Sequence, residues 1–217
     1  MTVALLAGGS GLIGHELLTA WSGPGLLHVL VREPMPVLSS QVQAHVQVHV
    51  VTFRKLPPLP RSDEAYCSLG TTLAAAGSKE AFRSVDMDAV LLFARAAQAA
   101  GVRRFAVVSS LGADARSSNF YTRVKGEMED ALAACKFDSL VLARPSLLIG
   151  DRESLGQEPR LGERVAVALA RPLAPLIPAR WRPITAARVA RAMLRAVAEA
   201  QPGVRVVESK ELQRLGQ

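Results

Sequence analysis

The chain has 217 residues, 49% hydrophobic and 21% charged, with a formal net charge of +7. That length suits one domain with a substantial core, and no apolar run approaches the roughly 20 residues of a membrane helix. Two cysteines, Cys67 and Cys135, provide neither a disulfide framework nor metal-ligand spacing, so a reducing cytoplasm is the expected location. The opening "MTVALLAGGSGLIG" has an apolar stretch like a signal peptide's but no basic leader, and its spaced glycines suit a strand-to-helix turn better than a cleavage site.

Strand and helix signals alternate along the chain. "VALLA" (3–7) is a short apolar strand, followed by a glycine turn and a helical pattern from Leu12 to about Trp21. "LLHVLV" (26–31) and the period-two "VQVHVV" (46–51) are the second and third strands, and "AYCSLG" (65–70) is the fourth. A long helical pattern, Lys79 to Ala100, closes on Gly101 as a C-cap. "FAVVSS" (105–110), a helix around 119–135 and "SLVLARPS" (139–146) follow. The last third carries Pro145, Pro159, Pro172, Pro175, Pro178 and Pro183, then a helix from about Ala186 to Ala200 and a short strand, "VRVVE". This order predicts an α/β protein with a doubly wound, mostly parallel sheet and helices on both faces. It is read as a single domain, 1–217, with a core to about residue 150 and a small C-terminal annex, 151–217, folded onto the C-terminal edges of the strands.

The chemistry begins at "LLAGGSGLIG". Gly8, Gly11 and Gly14 stand at G-x-x-G-x-x-G spacing directly after a strand and at the opening of a helix. Gly8 allows the tight turn, Gly11 lets backbone approach a pyrophosphate, and Gly14 lets the helix pack closely on the strand. The backbone of Ser10, Gly11, Leu12 and Ile13 then faces the phosphates at a helix N-terminus. At the end of the second strand an NAD site usually has an acidic residue, but "VLVREP" puts Arg32 there first, with Glu33 behind it. A guanidinium holds a 2′-phosphate that a carboxylate would repel, so NADP(H) is preferred over NAD. The competing reading leaves Arg32 solvated and gives the ribose to Glu33.

Farther on, "NFYTRVKGEME" holds Tyr121 and, one helical turn later, Lys125. A free phenol titrates near 10, and a neighbouring ammonium together with an oxidised nicotinamide would stabilise its phenolate for proton transfer. Ser109 and Ser110 end the preceding strand, about a dozen residues upstream. A serine hydroxyl from that strand end, Ser109 or Ser110, is expected to position a substrate oxygen.

Glycine turn, strand-end serines and Tyr-x-x-x-Lys together resemble the short-chain dehydrogenase/reductase superfamily. "CSLGTT", "AGSKEAF", "VDMDAV", "FAVVSSLGADARSSNFYTRVKGEME", "RPSLLIGDRES" and "ESKELQRLGQ" further resemble, in order and over nearly the full length, the Tat-interacting-protein family of its atypical members. That resemblance implies a Rossmann-type fold, NADP binding, and a catalytic set on Ser110, Tyr121 and Lys125. It implies no particular reaction, because atypical members include enzymes, cofactor sensors and regulatory proteins. Where the superfamily often has an asparagine on the helix before the fifth strand, this chain departs from the pattern with Asp86. Gly70, Thr71 and Thr72, with Leu69 before them, stand at the end of the fourth strand, where the superfamily brings backbone to the cofactor's ribose; a turn and helix cap is the alternative. Arg144 and Pro145 follow the sixth strand, where the resemblance sets the nicotinamide end, though Pro145 equally suits a strand stop.

The expected partner is a small carbonyl or alcohol substrate, with a protein partner instead if the chain is a regulatory NADP sensor. From Arg152 to Arg195 nine arginines face three glutamates, but the only aromatic in that stretch is Trp181, which argues against nucleic acid. His45 and His49 lie four apart on a predicted strand and, without cysteine or carboxylate partners, read as a polar face with no metal. Cys67 reads as core. The chain is expected to be a monomer or homodimer.

Overall fold

The computed structural model describes residues 2–21, 25–35, 45–150, 178 and 180–217. The central sheet has seven strands in the order β3-β2-β1-β4-β5-β6-β9. In chain order these are β1 (Ala4–Ala7), β2 (Leu27–Val31), β3 (Val46–Val50), β4 (Glu64–Cys67), β5 (Arg104–Val108), β6 (Ser139–Arg144) and β9 (Gly203–Glu208). All six pairings are parallel. A separate two-stranded ladder joins β7 (Leu148–Ile149) to β8 (Ile184–Thr185).

The interior strands are mostly apolar because both faces are covered, and β1 (ALLA) is wholly so. Period two divides β1 between two cores: Ala4 and Leu6 enter one, Leu5 and Ala7 the other, each fully buried. The first core lies under α1 (Leu12–Ala20), α6 (Ala186–Ala198) and α7 (Ser209–Leu215). The second lies under α4 (Val90–Ala99) and α5 (Phe120–Ala133), with Phe93, Phe105, Met128 and Leu132 buried at its centre.

The last third contributes more to the sheet than the annex reading allowed. β9 pairs with β6 over six residues, and α6 packs on α1 across the first core. The short helix α7 was not expected. Arg191 and Arg195 close its end by donating to the carbonyls of Gly216, Leu215 and Gln217, so part of the arginine-rich stretch caps a helix. The remainder of the predicted annex, 151–177 and 179, lies outside the described residues, including Pro159, Pro172 and Pro175.

The predicted helix from Lys79 to Ala100 is composite. Behind the short α2 (Leu73–Ala76), it runs as α3 (Lys79–Arg83), a π-helical segment (Ser84–Ala89) and then α4. Histidine geometry also differs from expectation. His45 precedes β3, and His49 pairs with His28 of β2 across a 3.0 Å Nδ1–Nε2 contact. Among the described residues no group of three or more His, Cys, Asp or Glu could hold a metal ion, and no helix is long and apolar enough to cross a membrane.

Candidate cofactor and active site

After β1 the chain steps outward to β2 and β3, then returns past β1 to β4. The strand order therefore reverses between β1 and β4, and a crevice opens beyond their C-terminal ends. It forms a cleft of about 320 Å3 lined by the β1–α1 turn, the segment after β4, the end of β5 and the first turns of α5. Gly8, Ser10, Gly11, Leu12, Ile13 and Arg32 line it from one side. Leu69, Gly70, Thr71, Asp86, Ser109, Tyr121 and Lys125 line it from the other.

The glycines are required by close approach. Gly8 has φ +88°, and a β-carbon there would stand 2.9 Å from Ser68. A β-carbon on Gly14 would meet the Gly8 carbonyl oxygen at 2.1 Å, so only glycine brings α1 this near the strand end. Gly11 occupies the N-cap position of α1 without a side-chain cap, and no acidic residue stands in the first turn. The unpaired N–H groups and positive dipole end of α1 thus face the cleft, a setting suited to an anionic phosphate.

On the opposite wall, the Asn119 side chain accepts from the N–H groups of Tyr121 (2.9 Å) and Thr122 (3.3 Å) and so starts α5 there. Tyr121 lies in that first turn beside Phe82, with ring centroids 5.4 Å apart. Lys125 follows one turn later and is buried. Its Nζ lies 2.7 Å from Asp86 Oδ1 and donates to the Val108 carbonyl at 3.5 Å. Burial pulls the Lys125 ammonium toward a lower pKa, but Asp86 and then Tyr121 outweigh it, and the pKa stands above the ordinary lysine value. Asp86, only 1% exposed, also accepts from Thr71 N–H at 2.8 Å through its other oxygen. One carboxylate thus joins the segment after β4 to the Tyr-Lys helix, and it is delivered by the π-helical segment, a geometry that often marks functional positions in helices.

The two serines diverge. Ser109 is buried, lines the cleft, and its Oγ has no hydrogen-bond partner among the described residues. Ser110 donates from Oγ to the Leu111 carbonyl at 3.3 Å and does not line the cleft. Arg144 and Pro145 are not brought to the cleft either. The Arg144 guanidinium grips both oxygens of buried Glu129 on α5, at 3.0 and 2.5 Å, and reaches Glu208 on β9 at 3.1 Å. Those hydrogen bonds, Glu129 foremost, raise its pKa. Arg144 therefore straps α5 to β6 and β9.

A larger cavity, about 790 Å3, lies at the other ends of the strands among Thr2, Trp21, Glu64, Arg104 and Arg195. It has no glycine turn. Its Glu64 is engaged by the Tyr66 hydroxyl at 3.0 Å and by Arg104 at 3.1 Å.

No family model matches the chain. It is 35% identical to Protein HTATIP2 of Rattus norvegicus over 97% of its own length and 88% of that protein. It is 36% identical to the protein fmp52, mitochondrial, of Emericella nidulans over 76% of this chain and 73% of that one. Among solved structures it resembles MoeE5 in complex with UDP-glucose and NAD, with TM-score 0.72, 17% identity, and coverage of 94% of this chain and 74% of that chain. It also resembles the UDP-N-acetylglucosamine 4-epimerase of Methanobrevibacter ruminantium M1, with TM-score 0.71, 14% identity, and coverage of 95% and 76%. These structures share the Rossmann-type fold. The mitochondrial names of the fungal relatives overturn the cytoplasmic location expected from cysteine usage. Two unpaired cysteines speak to redox conditions and do not identify a compartment.

Proposed function

The chain belongs to the family of the HTATIP2 and FMP52 proteins, in the NAD(P)-binding Rossmann superfamily, and on that premise we propose that it is an NADP(H)-dependent oxidoreductase acting on a carbonyl or alcohol. The observation that carries the reading is one cleft lined both by an uncapped helix N-terminus, reached through Gly8 and Gly14, and by Tyr121, Lys125 and Ser109, whose hydroxyl has no hydrogen-bond partner among the described residues. Bound there, the cofactor supplies or accepts hydride at its nicotinamide carbon. The N–H groups of Leu12 and Ile13 at the start of α1 would hold the pyrophosphate, approached over Gly8 and Gly11, and Arg32 would meet the 2′-phosphate.

In the reducing direction Ser109 Oγ donates a hydrogen bond to the substrate oxygen. Tyr121 transfers its hydroxyl proton to the same oxygen as the carbon gains hydride, and solvent reprotonates the phenolate. The Lys125 ammonium, held by Asp86, stabilises that phenolate. Ser109 takes the role first expected of Ser110, because Ser109 lines the cleft and its hydroxyl has no hydrogen-bond partner among the described residues, whereas Ser110 does not line the cleft.

The test is NADPH consumption with a panel of aldehydes and ketones by the wild type and by Tyr121→Phe, Ser109→Ala and Ser110→Ala. Tyr121→Phe is expected to lower kcat by about 10²–10⁴ with NADPH affinity retained, and Ser109→Ala is expected to cost more than Ser110→Ala. Unchanged turnover in Tyr121→Phe refutes the proton-transfer role. NADPH binding without turnover of any panel member favours a cofactor-binding regulatory protein instead.

A further inference from the structure

We infer that Arg54, together with Arg32, receives the 2′-phosphate of the cofactor, so that the preference for NADP(H) is set from the end of β3 as well as from β2. This rests on the cofactor reading above and extends it to a residue outside the glycine motif. β2 and β3 pair in register through Val31 and Val50, so the segments that follow them leave the sheet side by side. Arg32 is the first residue after β2. After β3 the chain makes a tight turn, closed by the Lys55 N–H donating to the Thr52 carbonyl at 2.9 Å. Phe53 in that turn is buried in the second core. It anchors the turn and leaves the next residue, Arg54, exposed.

Arg32 and Arg54 line the same side cavity, about 390 Å3 in volume, with apolar walls from Val51, Phe53 and Leu92. This cavity adjoins the glycine cleft, because Arg32, Phe53, Val85 and Ala89 line both. A dinucleotide whose pyrophosphate lies on the β1–α1 turn therefore has room for its adenosine end there, against apolar surface. Glu33, the acidic competitor of Arg32, lines neither cavity.

Charge supports the same assignment. Arg83, Arg103, Arg104, Arg144 and Arg205 are committed to carboxylates, whereas among the described residues Arg32 and Arg54 have no ion pair or hydrogen bond. Two uncommitted guanidiniums on one small cavity suit a dianionic phosphate, which each can bind in bidentate fashion. Asp88 lines that cavity too. Its carboxylate would repel the phosphate but accept from an exocyclic amino group, so the anion belongs on the Arg32–Arg54 side.

The experiment titrates the full chain with NADPH and, separately, NADH, following cofactor fluorescence, for the wild type, Arg54→Ala and Arg54→Lys. Arg54→Ala is expected to weaken NADPH binding about tenfold or more and to leave NADH binding within about twofold. Arg54→Lys, which keeps the charge but loses the planar fork, is expected to recover part of the loss. Added salt is expected to narrow the wild-type preference for NADPH. Equal weakening of both cofactors, or of neither, overturns the role of Arg54 while wild-type NADPH binding leaves the parent reading in place. A wild type that binds neither cofactor overturns both.

Discussion

Lys125 carries its charge in the protein interior, and its partner decides whether that is tolerable. Asp86 meets the ammonium at 2.7 Å with both side chains almost fully buried. Such a pair contributes little net stability over an apolar substitute, but removing one partner leaves the other charge stranded. Asp86→Ala is therefore expected to destabilise the protein by about 3–5 kcal/mol in chemical denaturation, and a loss below about 1 kcal/mol would show that water takes over the carboxylate's role. Because the Lys125 pKa is raised, its contribution is complete below the ordinary lysine range and is lost only as pH climbs through the folded value. Around neutrality the pair is thus insensitive to pH.

Among the elements, β2 and β3 carry the histidine contact that sequence spacing misassigned. His28 is buried, and burial, then the neighbouring His49, lowers its pKa below 6.5. A depressed pKa means that the folded state favours neutral imidazole: the contribution is present above the unfolded value and is lost as pH falls through the folded one. Acidification from about pH 7.5 to about pH 5.5 is expected to cost the wild type more stability than it costs His28→Gln. Equal losses in denaturation midpoints would assign the acid sensitivity elsewhere. The same strands show what was legible. The succession of strands and helices, the glycine turn and the Tyr-Lys spacing could be read because they depend on local periodicity and on contacts within one element. The His28–His49 contact could not, because it joins residues 21 apart through sheet register. Asp86 was visible only as a departure from a pattern, since a π-helical segment has no periodicity signature and burial of the pair depends on α5 crossing it. Arg144 was misplaced because its carboxylate partners come from α5 and β9, distant in sequence. The difference between Ser109 and Ser110 likewise arises where the chain leaves β5, and two adjacent serines look alike in a sequence.

For the molecule as a whole, the parallel sheet with a core on each face is a scaffold whose C-terminal strand ends gather one cleft. In the proposed reading Gly8 and Gly14 shape the wall for the phosphates, Tyr121 and Lys125 the reactive wall, and Arg32 with Arg54 the adjoining side cavity. These parts serve one purpose only if a phosphorylated dinucleotide spans them. The measurement that tests this most directly is a titration of the wild-type protein with NADPH and NADH by cofactor fluorescence. The account predicts saturable NADPH binding with NADH at least about tenfold weaker, a difference of about 1.4 kcal/mol. Equal affinity for the two would contradict the assignment of the arginines, and binding of neither would contradict the cleft as a cofactor site.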